Sequence, residues 1–210
     1  MTTAVRVPWK QVAMPDRIAR LPRDKRGFPV PWISCWSHEG SNMRPEPMTI
    51  HRDGYSVEIM GASCTHVAGQ GTPDIANLCA GRQVQGMTQR RCDVCGDPID
   101  GTCHFVGQVR NEWFRETPLH LECAVYSLQV CPGISTGAGV GVQSCETYNI
   151  MPVFLRSDGQ GGTEEQQYPD FATAVMAMQI TGLPGVLISC HAQPVAPIIA
   201  LREEFLEAHL

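Results

Sequence analysis

The sequence predicts an α+β protein, on three observations. A Cys-x-x-Cys pair at 92–95 is answered by His120-x-x-Cys123. Strand-like runs flank an Asp-Gly turn at 53–54, and strand-like and helix-like runs alternate through the C-terminal third. By segment the chain reads as a basic proline-rich arm (1–36), a β-hairpin with Gly-rich loops (37–90), a metal module (91–132) and a small α/β unit (147–210).

Five prolines, at 8, 15, 22, 29 and 31, forbid a long helix in the arm and leave room for a turn or two over 16–21. Residues 30–36 suit a strand. Asp53-Gly54 supplies the positive φ angles of a type I′ turn and predicts a hairpin over 48–60. The Gly-rich stretch 61–90 reads as loop with a short helix near 74–78, and 102–109 as a strand. Thr117-Pro118 is a helix opening, with Thr as cap and Pro at the first helical position, and Cys131-Pro132-Gly133 is its stop. Residues 133–146 read as a Gly/Ser/Thr-rich linker. Their Gly137-x-Gly139-x-Gly141 run lacks the flanking strand and helix of a phosphate loop. Beyond it come a strand at 148–155, a helix capped by Asp170 and ended by Gly182, and a strand at 185–190. An amphipathic helix over 196–210 would align Ile198, Leu201, Phe205 and Ala208.

The four-residue constellation carries the chemistry. Two thiolates two residues apart converge on one ion when the chain turns tightly between them, and Gly96 permits that turn. His120 and Cys123 share a helix face, and the helix dipole favours the thiolate of Cys123. Twenty-four residues separate the pairs, room for a hairpin. Knuckle, hairpin, then ligands on a helix is the order of a treble clef. The sequence thus predicts a structural zinc held by Cys92, Cys95, His120 and Cys123, with no open position for catalysis. The alternatives are a buried thiol cluster and a dithiol redox pair. Gly96-Asp97-Pro98 breaks the helix that a redox Cys-x-x-Cys precedes. Cys131, eight residues beyond Cys123, reads as core.

Cys35, His38, Cys64 and His66 have the spacing of a second site, weighed against small core cysteines and ordinary histidines. Cys103-His104 and Cys190-His191 are strand neighbours whose side chains point to opposite faces, so neither is a catalytic dyad. A treble-clef nuclease would use His104 with extra ligands, for which Asp100 and Asn111 are the nearby candidates.

Charge is unevenly placed. The chain carries −5 overall, yet residues 1–35 hold seven Lys/Arg against two Asp, and the remainder nine against nineteen Asp/Glu. The total argues against non-specific coating of nucleic acid. The arm still offers Arg17, Arg20, Arg23, Lys25 and Arg26 beside Trp9, Phe28 and Trp32, suited either to nucleic acid or to docking on acidic protein surface. No apolar run has the length to span a bilayer, and the first residues lack a signal peptide's apolar stretch, so a cytoplasmic setting is expected.

Three blocks resemble an uncharacterised, zinc-finger-like protein family associated with bacteriophages, prophages and their hosts. They are Arg17-Ile18-Ala19-Arg20-Leu21-Pro22-Arg23-Asp24 with Arg26-Gly27-Phe28-Pro29-Val30-Pro31-Trp32; Cys92-x-x-Cys95-Gly96; and His120-Leu121-Glu122-Cys123-Ala124-Val125-Tyr126 closing on Cys131-Pro132. The resemblance implies the same four zinc ligands and nothing about activity; residues 37–70 and 133–146 depart from it. The expectation is a zinc-stabilised interaction protein with a protein partner, possible phage origin included. A DNA- or RNA-associated regulator using the arm comes second, and a nuclease a distant third.

Overall fold

The computed structural model describes residues 8–37, 44–52, 55–64 and 69–210. Among them are six α-helices and ten strands in three sheets, a mixed α+β architecture.

The arm lies extended. After a 3-10 turn at Trp9–Gln11 comes a single helical turn, α1 (Asp16–Ala19), whose Ile18 is fully buried. Strand β1 (Ser34–Trp36) pairs antiparallel with β4 (Pro73–Leu78). The helix expected near 74–78 is therefore a strand, because β1 offers its backbone a partner. The helix begins after Cys79 instead, as α2 (Ala80–Thr88). Two glycines in nine residues hide it from propensity, yet both have a packing reason. A Cβ at Gly81 would press on Cys64, and one at Gly86 would collide with the Thr117 side chain.

The expected hairpin is present as β2 (Arg44–Arg52) and β3 (Tyr55–Ser63), in register Arg52↔Tyr55; the Asp53-Gly54 turn lies outside the described residues. It joins the five-stranded sheet β2-β3-β9-β7-β8, where β7 is Tyr148–Ser157, β8 is Thr163–Gln167 and β9 is Gly185–Pro194. Only the β3–β9 pairing in it is parallel. The N-terminal hairpin and the C-terminal strands thus share one sheet.

Helix α2 packs on β9 through Gln83, buried to 1 % exposure. Its amide donates to the carbonyls of Cys190 (2.6 Å) and Arg115 (2.8 Å) and accepts from Cys190 N–H (2.9 Å). Tyr148 Oη donates to the Met87 carbonyl (2.7 Å), tying the same helix to β7. Phe105, Phe114, Tyr148, Phe154, Phe171 and Leu187 are all almost fully buried. Helix α5 (Phe171–Thr181) forms as expected: Asp170 Oδ1 accepts from Thr173 N–H at 2.7 Å, and Gly182 ends it at φ +66°.

The third sheet, β10-β6-β5, overturns two expectations. The supposed linker contains the central strand β6 (Val140–Cys145), between β5 (Cys103–Gln108) and β10 (Ile198–Leu201). Gly141 there lets the Ala200 backbone approach, which a Cβ would block. The helix expected over 196–210 is β10 followed by the shorter α6 (Arg202–His209). Pro197 disfavours helical backbone at Ala196, and the β-branched pair Ile198-Ile199 takes the free edge of β6 instead. Of the proposed stripe only Phe205 is buried; Ile198 and Leu201 are exposed.

Candidate metal centre

Between α2 and β5 the chain makes a tight loop closed by the Arg91↔Pro98 bridge and the Cys92 N–H bond to the Asp97 carbonyl (2.9 Å). Gly96 sits in it at φ +77°, with the Trp32 indole where a Cβ would be. Any side chain there would meet both a strained backbone and that ring. Residues of the arm run beside the loop: Trp32 N–H donates to the Val94 carbonyl (2.8 Å) and Ile33 N–H to that of Asp93 (3.1 Å). Cys92 is fully buried and Cys95 half-buried.

The other two donors come from helix α3 (Leu121–Val130), which starts three residues later than the sequence predicts. Thr117 does not cap it. Its backbone N–H (3.1 Å) and hydroxyl (2.9 Å) instead donate to Asp93 Oδ1 inside the Cys-x-x-Cys loop. Desolvation pushes the Asp93 carboxyl up to about 7, against the lowering effect of those two bonds. His120 is the N-cap residue and Cys123 lies in the first turn. Cys131 stands, half-buried, between α3 and the short α4 (Pro132–Ser135).

The ligand atoms of Cys92, Cys95, His120 and Cys123 all lie within 4.8 Å of one another. Among the described residues this is the one group of three or more His, Cys, Asp and Glu donors that closes in this way. The imidazole is already oriented. Its Nε2–H donates to the Pro98 carbonyl (3.0 Å), leaving Nδ1 facing Cys95 Sγ at 3.4 Å. Hydrogen bonds with Cys123 and then Cys92 hold the Cys95 thiol far below the usual range. Bonds with Cys92 and Cys95 push Cys123 up, and the same two partners raise His120 to about 10. The set can hold a metal ion.

Around the cluster, two arginines of the arm pair with acidic residues of the metal module. Arg17 Nε donates to Glu122 (2.7 Å) and its Nη1 to Asp97 (3.3 Å); Arg20 Nη2 donates to Asp97 (2.8 Å). Arg23 bonds the Ala19 carbonyl and Met14 Sδ, and Arg26 pairs with Asp24 at 2.9 Å. Lys25 is exposed. Trp9 meets Phe28 edge-on at 5.6 Å.

His38 and His66 lie outside the described residues; Cys35 and Cys64 are half-buried. Cys64 Sγ meets a cysteine that the spacing argument did not include, Cys79, at 2.7 Å. His104 Nδ1 pairs with Ser144 Oγ (2.9 Å), and the His191 ring stacks on Trp113 at 4.5 Å. Two contacts near the centre had no local signal: Asp93 with Thr117, and Trp32 over Gly96. Only the Gly after the second cysteine hinted at crowding. No helix among the described residues is long and apolar enough to cross a membrane.

No family model, curated protein or solved structure matches the chain.

Proposed function

We propose that this chain is a zinc-stabilised, non-enzymatic protein that works by binding a protein partner. The observation that carries the reading is the complete donor set of Cys92, Cys95, His120 and Cys123. Three thiolates and an imidazole suit tetrahedral zinc, and four protein ligands leave it no water to activate. In this reading residues 91–132 are a treble clef. The Arg91–Pro98 loop is its knuckle, and β5 with the His104↔Leu119 bridge is a hairpin whose second strand is reduced to one residue. Helix α3 follows with the last ligands.

Two features favour protein over nucleic acid. Arg17 and Arg20 already face Asp97 and Glu122, so the arm spends part of its charge on its own fold. Val195, Ile198, Ile199 and Leu201 are exposed on or beside β10, an edge strand of its sheet. Exposed apolar side chains on a free edge are suited to a partner's strand. The test is affinity purification from the native host with nuclease treatment, paired with a gel shift at about 0.15 M salt. Expected are a protein partner that survives nuclease and is lost with Ile198→Asp, and no shift of DNA or RNA. Tight, salt-sensitive nucleic-acid binding that disappears when Arg17, Arg20, Arg23 and Arg26 become Ala would establish the regulator instead. Cleavage with Mg²⁺ or Mn²⁺ that His104→Ala abolishes would establish a nuclease.

A further inference from the structure

We infer that the chain carries a second thiolate metal site, built on Cys64 and Cys79, that takes zinc or another thiophilic divalent ion. Cys64 follows β3 and Cys79 joins β4 to α2, so two distant stretches of chain deliver one sulfur each. Their Sγ atoms are 2.7 Å apart. The approach is built into the fold. Cys79 N–H donates to the Ile33 carbonyl (2.9 Å), which extends the β1–β4 pairing and fixes Cys79. Gly81, in the first turn of α2, leaves space that Cys64 occupies: a Cβ there would lie 3.3 Å from Cys64 N and 3.5 Å from its Sγ.

The electrostatics favour ionised sulfur. Cys79 is the N-cap residue of the nine-residue α2, and the positive end of the helix dipole stabilises thiolates there. Arg82, one turn into that helix and 3 % exposed, lines the same cleft of about 370 Å³ as Cys64. Its Nη2 donates to the Ser34 carbonyl, tying α2 to the strand that carries Cys35. Cys35 offers a further thiol: it lies on β1, the strand paired with the one that leads into Cys79. Two thiols converging from separate elements at a helix start suit a soft metal ion.

The experiment is metal analysis of the full chain purified under reducing conditions, with Co²⁺ reconstitution as a second reading. The expected content is two equivalents per chain. Cys64→Ser and Cys79→Ser should each fall to one equivalent and lose part of the thiolate-to-cobalt absorption. Cys95→Ser should remove the other equivalent, which keeps failure of this site distinct from failure of the first. One equivalent in the wild-type protein would overturn the proposal, and so would two equivalents that survive both Cys64→Ser and Cys79→Ser. Peptide mapping that finds Cys64 and Cys79 joined as a disulfide would overturn it too.

Discussion

The metal module and the β7–β9–α5 region solve the same problem by different means. In the module, four donor atoms from a loop and a helix start converge within 4.8 Å, and a metal ion bound there would tie the segments together. In the C-terminal region, long strands paired over nine positions bury Phe154, Phe171 and Leu187 beneath a capped helix. Bound metal would add a stability concentrated at one point to the first region, beside the apolar core that both regions share. The difference teaches where each is vulnerable: a single ligand change should undo the first, whereas the second should lose stability in proportion to the volume removed.

The largest effect is expected from Cys95→Ser or from chelation. Structural zinc contributes on the order of 10 kcal/mol in small metal modules, so the module should unfold. Hydrogen exchange should rise across 91–131 first, and retained protection there would break the comparison. Next comes Phe154→Ala, which empties a fully buried site and should cost about 3–5 kcal/mol in denaturant unfolding. Its metal content should stay at the wild-type value; a loss of metal would mean that the two regions are energetically one.

A pH effect sharpens the boundary between them. Burial is the main cause that lowers His104 to about 4, and the ring keeps its bond to Ser144 Oγ. The unfolded chain binds this proton near 6.5 and the fold resists it. Stability from this group is therefore full above about pH 6.5 and is lost as pH falls toward 4, amounting to up to about 3 kcal/mol. Comparing unfolding of wild type and His104→Phe across that window isolates the effect from acid loss of the metal. Equal slopes for the two proteins would contradict the assignment. Smallest is Asp170→Ala, which removes the cap of α5 and should cost about 1 kcal/mol, read as a modest drop in Tm with metal retained.

How much of this was legible in the sequence depended on range. The four donors were legible because each pair is local: the two-residue spacing with Gly96, and the three-residue spacing at a helix start, imply convergence without knowledge of the rest. Helix α5 was legible because Asp170 and Gly182 punctuate it at either end. Strand β6 was not, because its glycines look like linker until β10 is seen pressing on Gly141. Strand β4 and helix α2 were missed for a related reason: their residues are chosen for neighbours, with Gln83 answering Cys190 and Gly86 making room for Thr117.

The sequence by itself determined the donor set, the hairpin about residues 53–54 and the caps of α5, all consequences of stereochemistry within a few residues. Only the tertiary structure decided that the arm spends Arg17 and Arg20 on Asp97 and Glu122, that the N-terminal hairpin extends the C-terminal sheet, and that Cys79 is the neighbour of Cys64. Each of those depends on strand pairing and burial between segments far apart in the chain. Their side chains carry no local preference for one another; proximity comes from the area buried when the sheets assemble.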